Sequence, residues 1–379
     1  MKYFLQALRI LLGALFIFSG IVKANDPSGL ANKMAEFFEP SVLNMPSLMH
    51  HALTLSVIMI AGEIILGVTL LLGFAWRFFA WLMLALNLFF TFLTAYIYYW
   101  DVIMHSAKVR ECGCFGDCIK ISNSATFWKD VALLVAAIIL FIYRRRIRPL
   151  LPKYPNTAVF VLAVFFAFGV QWYMLEHLPM HDCMPYKVGN SICEGMKQPK
   201  GCVVDSFGYV YTFKHNGKEE KVAQENYSMV DSTWGDPIKT ETTLIRKGNG
   251  LCDPPIKDFG IKDINGQDDY TEAILQEQKG AYILFLRDPA TARTDNMDKL
   301  QALCKDAQSK GMLFVIASAG TAEANAAWRQ KWPMPGAEFY IVDEVAAKTA
   351  MRSNPGLMKL EGCYIRGKWS FRDYPSAVQ

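Results

Sequence analysis

Five long apolar stretches fall within the first 175 residues of this 379-residue chain, at residues 4–22, 52–74, 78–100, 126–143 and 157–175. Each is close to the roughly 20 mainly apolar residues that carry a helix across a bilayer, where a spanning segment must satisfy its own backbone. The fourth stretch carries Lys129 and Asp130 in its first turn. Aromatic residues crowd the ends of the stretches, among them Trp76, Tyr96, Tyr98, Tyr99, Trp100, Phe127, Trp128, Trp172 and Tyr173, as in an interfacial belt. Most of the charge lies after residue 180, so the 52% hydrophobic content averages a membrane half with a polar tail. That division excludes a disordered chain, a collagen-like repeat and an ordinary cytosolic enzyme. A formal net charge of +4 is too small to point to nucleic acid, which leaves membrane lipid as the first partner.

Lysine and arginine in the short loops set the orientation. The segment RRRIRPLLPKYPN after the fourth span holds Arg144, Arg145, Arg146, Arg148 and Lys153 with no acidic residue. Arg77 lies between spans two and three, Lys2 precedes span one, and loops 23–51 and 101–125 mix acids and bases evenly. The rule predicts a cytoplasmic (inner) membrane protein with its N-terminus inside. Loop 101–125 and the tail from residue 176 then face the periplasmic, extracytoplasmic side. Val22-Lys23-Ala24 has a faint likeness to a signal-peptide cleavage site, but Lys23 within it and Arg9 upstream favour a retained span.

All nine cysteines fall on that predicted outer side: Cys112, Cys114 and Cys118 in the loop, and Cys183, Cys193, Cys202, Cys252, Cys304 and Cys363 in the tail. Thiols can oxidise there, and an odd number leaves at least one unpaired. The loop reads HSAKVRECGCFGDCIKIS. A Cys112–Cys114 bond would close a very small ring, and strained disulfides are the ones that exchange. Gly113 and Gly116 permit the tight turn, and Cys118 is placed as a resolving thiol. Lys108 and Arg110 favour a thiolate while Glu111 and Asp117 oppose one. Two other readings stay open. The loop bridge is a structural staple, or His105 joins the three cysteines around zinc, although a one-residue gap is awkward for that ion and no metal is expected.

The N-terminal half resembles the MauE/DoxX family of redox-associated membrane proteins. The matching pieces are FIFSGIVKANDP, Glu63 with GEIILGVTLLLGF, ECGCFGDC, and FWKDVALL. The resemblance covers about residues 1–150 and implies a four-helix membrane bundle linked to thiol or sulfur redox chemistry. Related DoxX-type proteins work with quinones, so the resemblance makes a quinone the candidate cofactor. The general chemistry carries over to Cys112 and Cys114.

An ionisable residue in mid-span is a functional candidate, and Glu63 is one, as proton carrier or as neutral glue between helices. Asp130 and Lys129 enter the bundle on the side of the cysteine loop and are the candidate cofactor contacts. Arg9, Lys23, Lys129 and Asp130 lie nearer helix ends, where snorkelling to the interface is the plainer account.

Residues 151–180 form the fifth span and a linker, and 181–260 a cysteine-containing, β-rich linker or subdomain. From about 261 to 379 strands and helices alternate: AYILFL (281–286), a helix at 296–311, MLFVIAS (312–318), a helix after Thr321, AEFYIVD (337–343), and a hairpin after Asn354-Pro355-Gly356. This order resembles an α/β thioredoxin-like domain. Where a thioredoxin carries Cys-x-x-Cys, however, this chain reads RDPATART (287–294), without cysteine. Cys304 and Cys363 are a candidate structural pair. P-loop, dinucleotide and hydrolase signatures do not stand out. Two functions remain in view: a membrane thiol–disulfide redox component acting on an extracytoplasmic protein client or thiol partner, and a non-enzymatic membrane-anchored assembly factor.

Overall fold

In the computed structural model, the structure describes residues 2–103, 116, 118–119, 121–203, 206–215, 218–230, 234–246 and 252–378. Each apolar stretch folds as a single helix. These are α1 (Lys2–Ala24), α4 (Ala52–Leu72), α5 (Trp76–Tyr98), α6 (Asn123–Ile142) and α7 (Lys153–Glu176). All five are long and apolar enough to cross a membrane. Helix α6 starts three residues earlier than the apolar run because Ser122 caps it, accepting from the Ala125 backbone N–H. Lys129 and Asp130 therefore lie one turn deeper than expected.

Loop 23–51 is not plain loop. It holds α2 (Pro27–Phe38) and the short α3 (Pro46–Met49). Asp26 caps α2 by accepting from the Gly29 N–H at 2.8 Å, and Pro27 opens its first turn. Leu30, Met34, Phe37 and Phe38 recur at helical spacing and are buried, and α2 packs on α4. Helix α4 is central, touching α1, α2, α5 and α7.

Arg9 does not snorkel. Its Nε donates to the Leu70 carbonyl at 2.7 Å and Nη1 to the Arg148 carbonyl at 3.1 Å, so it caps the open end of α4. Arg145, Arg146 and Arg148 gather with Gln6 and Arg9 around one cavity at this end. Trp76 is not part of an exposed belt either. It is buried among Leu5, Leu12, Leu70 and Leu140, whereas Trp128 and Trp172 do face outward.

The chain divides into two compact units, residues 1–189 with 260–379, and residues 190–259. The smaller unit holds α8 (Ile192–Gly195) and an antiparallel sheet in which β1 (Ser206–His215) lies between β2 (Lys218–Ala223) and β3 (Lys239–Arg246). A Cys202–Cys252 bond closes it.

The sheet of the larger unit has the order β9-β8-β5-β6-β7-β4, where β4 is Ile261–Lys262, β5 Ala281–Leu286, β6 Leu313–Ser318, β7 Glu338–Val342, β8 Gly356–Glu361 and β9 Tyr364–Ser370. Strands β5, β6 and β7 run parallel, and the β8–β9 hairpin adds antiparallel to β5. Every residue of β5 is buried, as its unbroken apolar run requires. Helix α9 (Thr271–Leu275) precedes β5; α10 (Met297–Ser309), α11 (Ala322–Lys331) and α12 (Glu344–Ala350) make the connections that follow. The peptide before Pro355 is cis. Glu176, the last residue of α7, meets this domain through Arg293 at 3.2 Å and Arg372 at 2.6 Å.

The expected Cys304–Cys363 pair is absent. Cys363 is disulfide-bonded, whereas Cys304 is a free, buried thiol of α10. Burial pushes the Cys304 thiol up to about 11, which makes it a poor nucleophile.

Candidate functional site

Lys23 and Glu63 form an ion pair inside the bundle, each only 3% exposed. Glu63 stands in mid-α4, and Lys23 on the last turn of α1 reaches inward to donate to its Oε1. Ser19, one turn before Lys23, donates to Glu63 Oε2 at 3.0 Å. The Lys23 ammonium also sits over the Phe90 ring, 4.9 Å from its centre. The carboxylate thus has both oxygens engaged, as a charge withdrawn from water requires. Snorkelling does not describe Lys23: its partner lies deeper in the bundle, and the side chain follows it.

Asp130 and Lys129 line the same small cavity as Lys23 and Glu63, about 30 Å³ in volume, together with Asn87 and Ser19. Lys129 Nζ lies 2.8 Å from Asp130 Oδ1. The three intramembrane candidates read from sequence, Glu63, Asp130 and Lys129, therefore share one polar pocket. Lys23 is the member that sequence reasoning missed. The signal was Asp26-Pro27, a helix start that places the end of α1 just beyond Lys23, one turn after Ser19.

A second, larger space of about 990 Å³ opens beside it, with a lining that is almost wholly apolar. Met34, Phe38, Met59, Leu86 and Phe89 are among its walls, and Lys23 and Phe90 border both spaces.

A third space, about 20 Å³, lies at the opposite end of the bundle from the arginine cluster. Cys118 and Cys183, bonded to each other across 65 residues, line it with Lys23, Asp26, Arg352 and Lys368. Arg352 Nε meets Asp26 at 2.8 Å and Lys368 Nζ meets Asp182 at 2.6 Å. Burial pulls the Lys368 ammonium below the usual lysine range, and Asp182 works against it. Asn25 and His181 exchange two hydrogen bonds, at 2.8 and 3.0 Å. Cys118 is thus joined to the tail, not held within its own loop. Cys112, Cys114 and His105 lie outside the described residues. Among the described residues, no cluster of three His, Cys, Asp or Glu is arranged to hold a metal ion.

Residues 1–143 match the family model described as Methylamine utilisation protein MauE. This N-terminal part of the chain is MauE-like, and the chain is a membrane protein. No curated protein and no solved structure matches it. The MauE-like region takes in the whole polar pocket and the Cys118 side of the disulfide; the Cys183 side, Arg352 and Lys368 lie beyond it.

Proposed function

We propose that the protein is a membrane thiol–disulfide redox component that exchanges electrons between extracytoplasmic thiols and a quinone, in support of oxidative maturation of envelope proteins. The observation that carries this is that Lys23 borders all three spaces: the disulfide cleft, the polar pocket and the apolar groove. A single residue therefore adjoins a place for sulfur chemistry, a place for protons and a place for a lipid-soluble ligand. A quinone ring held there would take up two electrons and two protons. Lys23 borders the groove and is paired with Glu63, and Glu63 and Asp130 supply carboxylates within the adjoining pocket. Phe90 offers a ring face at the same point. The apolar groove accommodates a hydrocarbon tail.

The orientation follows the same reading. Arginines collect at one end of the bundle and Cys118–Cys183 at the other, as expected for a cytoplasmic arginine face and an oxidising opposite face. The strand order of the C-terminal domain supports a thioredoxin-like reading without dithiol chemistry. In the turn after β5, the Asn354 side chain accepts from the Arg287 N–H at 3.1 Å and donates to the Asp288 carbonyl at 2.8 Å. On this reading the domain holds a client, and Cys112 and Cys114 are the exchanging pair that passes electrons on to the quinone.

Gly62 tests the groove. It lines that space, and a Cβ there would meet nothing within 4 Å. Gly62→Phe should fold and fill the groove. In proteoliposomes, wild-type protein should couple dithiothreitol oxidation to decylubiquinone reduction, and the variant should raise the apparent KM for the quinone about tenfold. Absence of coupling in the wild-type protein would favour the second reading, an assembly factor whose Asp26–Arg352 and Asp182–Lys368 pairs anchor a binding domain on the bundle.

A further inference from the structure

We infer that Cys118–Cys183 is the disulfide that an incoming dithiol attacks, with the Cys118 sulfur as the point of attack and Cys183 as the leaving group. The inference rests on the redox reading above and names the residues that would meet the substrate. Cys118 is exposed and Cys183 half-buried, so an external thiolate reaches the Cys118 side first. The two neighbours of Cys183 in sequence are each tied to a buried cation. Asp182 pairs with Lys368, 7% exposed, and the Met184 sulfur lies 3.3 Å from Arg352 Nη2. Arg352 is itself 9% exposed and paired with Asp26. A thiolate leaving at Cys183 therefore forms in a cleft whose walls include Lys23, Arg352 and Lys368, each held in an ion pair, with Glu63, Asp26 and Asp182 respectively. The Arg352 and Lys368 N–H donors held beside the two neighbours of Cys183 lower the cost of a departing thiolate, and a better leaving group speeds exchange.

The substrate thiolate forms a bond to the Cys118 sulfur, the Cys118–Cys183 bond breaks, and Cys183 departs as a thiolate that takes up a proton. The second substrate thiol then attacks the substrate sulfur of the mixed disulfide and releases Cys118 as a thiol. The substrate loses two electrons and two protons and gains a disulfide. Cys118 and Cys183 gain them as a dithiol, which a quinone re-oxidises, directly or through Cys112 and Cys114, while being reduced to the quinol. The substrate class is a protein or peptide dithiol on the cysteine-bearing side of the membrane.

The test uses the full-length wild-type protein in proteoliposomes. A limiting pulse of dithiothreitol is quenched in acid, free thiols are alkylated, and Cys118, Cys183, Cys202 and Cys252 are quantified by mass spectrometry. Cys118 and Cys183 should be reduced at least about tenfold faster than the Cys202–Cys252 pair, and should re-form their bond when decylubiquinone is added. Lys368→Gln should slow the reduction several-fold and Lys368→Arg should restore it. Equal or slower reduction of Cys118–Cys183 overturns the inference, even where dithiol-driven quinone reduction persists and the broader redox reading stands. Fast reduction without re-oxidation by the quinone keeps the exchange site and removes the quinone from the account.

Discussion

Lys23→Met is expected to cost about 3–5 kcal/mol of bundle stability, because it leaves the Glu63 carboxylate buried without its cation. Ser19 would still donate to it, at 3.0 Å, but a neutral hydroxyl does not replace the ammonium. The measurement is the yield of folded protein in detergent and its midpoint of thermal aggregation, both of which should fall sharply. Adding Glu63→Gln to Lys23→Met should recover most of the loss, since removing both charges abolishes the uncompensated one. The double variant separates packing from chemistry. It should assemble, yet lack the quinone-coupled thiol oxidation of the wild-type protein. A double variant with full activity would make the pair structural only.

Gly67→Leu is expected to prevent α1 and α4 from closing. A Cβ on Gly67 would lie 2.7 Å from Ile17 Cγ1 and 2.8 Å from the Gly13 carbonyl oxygen. The partner glycine is as tightly set, for a Cβ on Gly13 would lie 3.1 Å from the Gly67 carbonyl oxygen and 2.7 Å from Leu71 Cδ2. Backbones packed this closely gain dispersion contact that lipid cannot replace, and small residues are what allow it. Even Gly67→Ala meets a carbonyl that cannot swing aside, so a loss of about 1–3 kcal/mol is expected. The leucine variant, with a branched side chain in the same space, should fail to accumulate. Gly169→Ala on α7 is the matched control, because a Cβ there meets nothing within 4 Å. The expected outcome is an unchanged thermal midpoint for Gly169→Ala and a lowered one for Gly67→Ala. Equal midpoints would show that the two helices do not cross at these glycines. The same crossing holds α1 in the register that brings Lys23 to Glu63, so the packing and the site stand or fall together.

The membrane half was readable because bilayer-length apolar runs have few alternative folds, and the buried strand Ala281–Leu286 was readable for a similar reason. Helix α2 was less legible despite its Asp26-Pro27 start, because its 12 residues are too few to span a bilayer and Lys33 and Glu36 interrupt the spacing of Leu30, Met34 and Phe37. Glu63 was legible as a mid-span carboxylate. Lys23 was not, since a lysine near a helix end is ordinarily drawn outward to water, and only the position of α4 shows what draws it inward. Nine cysteines do not disclose their pairing, so the Cys118–Cys183 bond between loop and tail could not be read from spacing. The apolar groove was equally hidden. Met34, Met59, Phe89 and Phe168 come from α2, α4, α5 and α7, and a surface assembled from separated segments leaves no local pattern.

The most direct test of the central claim is the redox state of the cysteine cleft in living cells. Cells would be quenched in acid, free thiols labelled, and Cys112, Cys114, Cys118 and Cys183 mapped by mass spectrometry before and after quinone turnover is blocked. A mixture of oxidised and reduced forms that moves toward the reduced form under the block is the predicted result. Cysteines that stay fully oxidised whether or not the quinone pool turns over would contradict the account and leave Cys118–Cys183 as a staple between loop and tail.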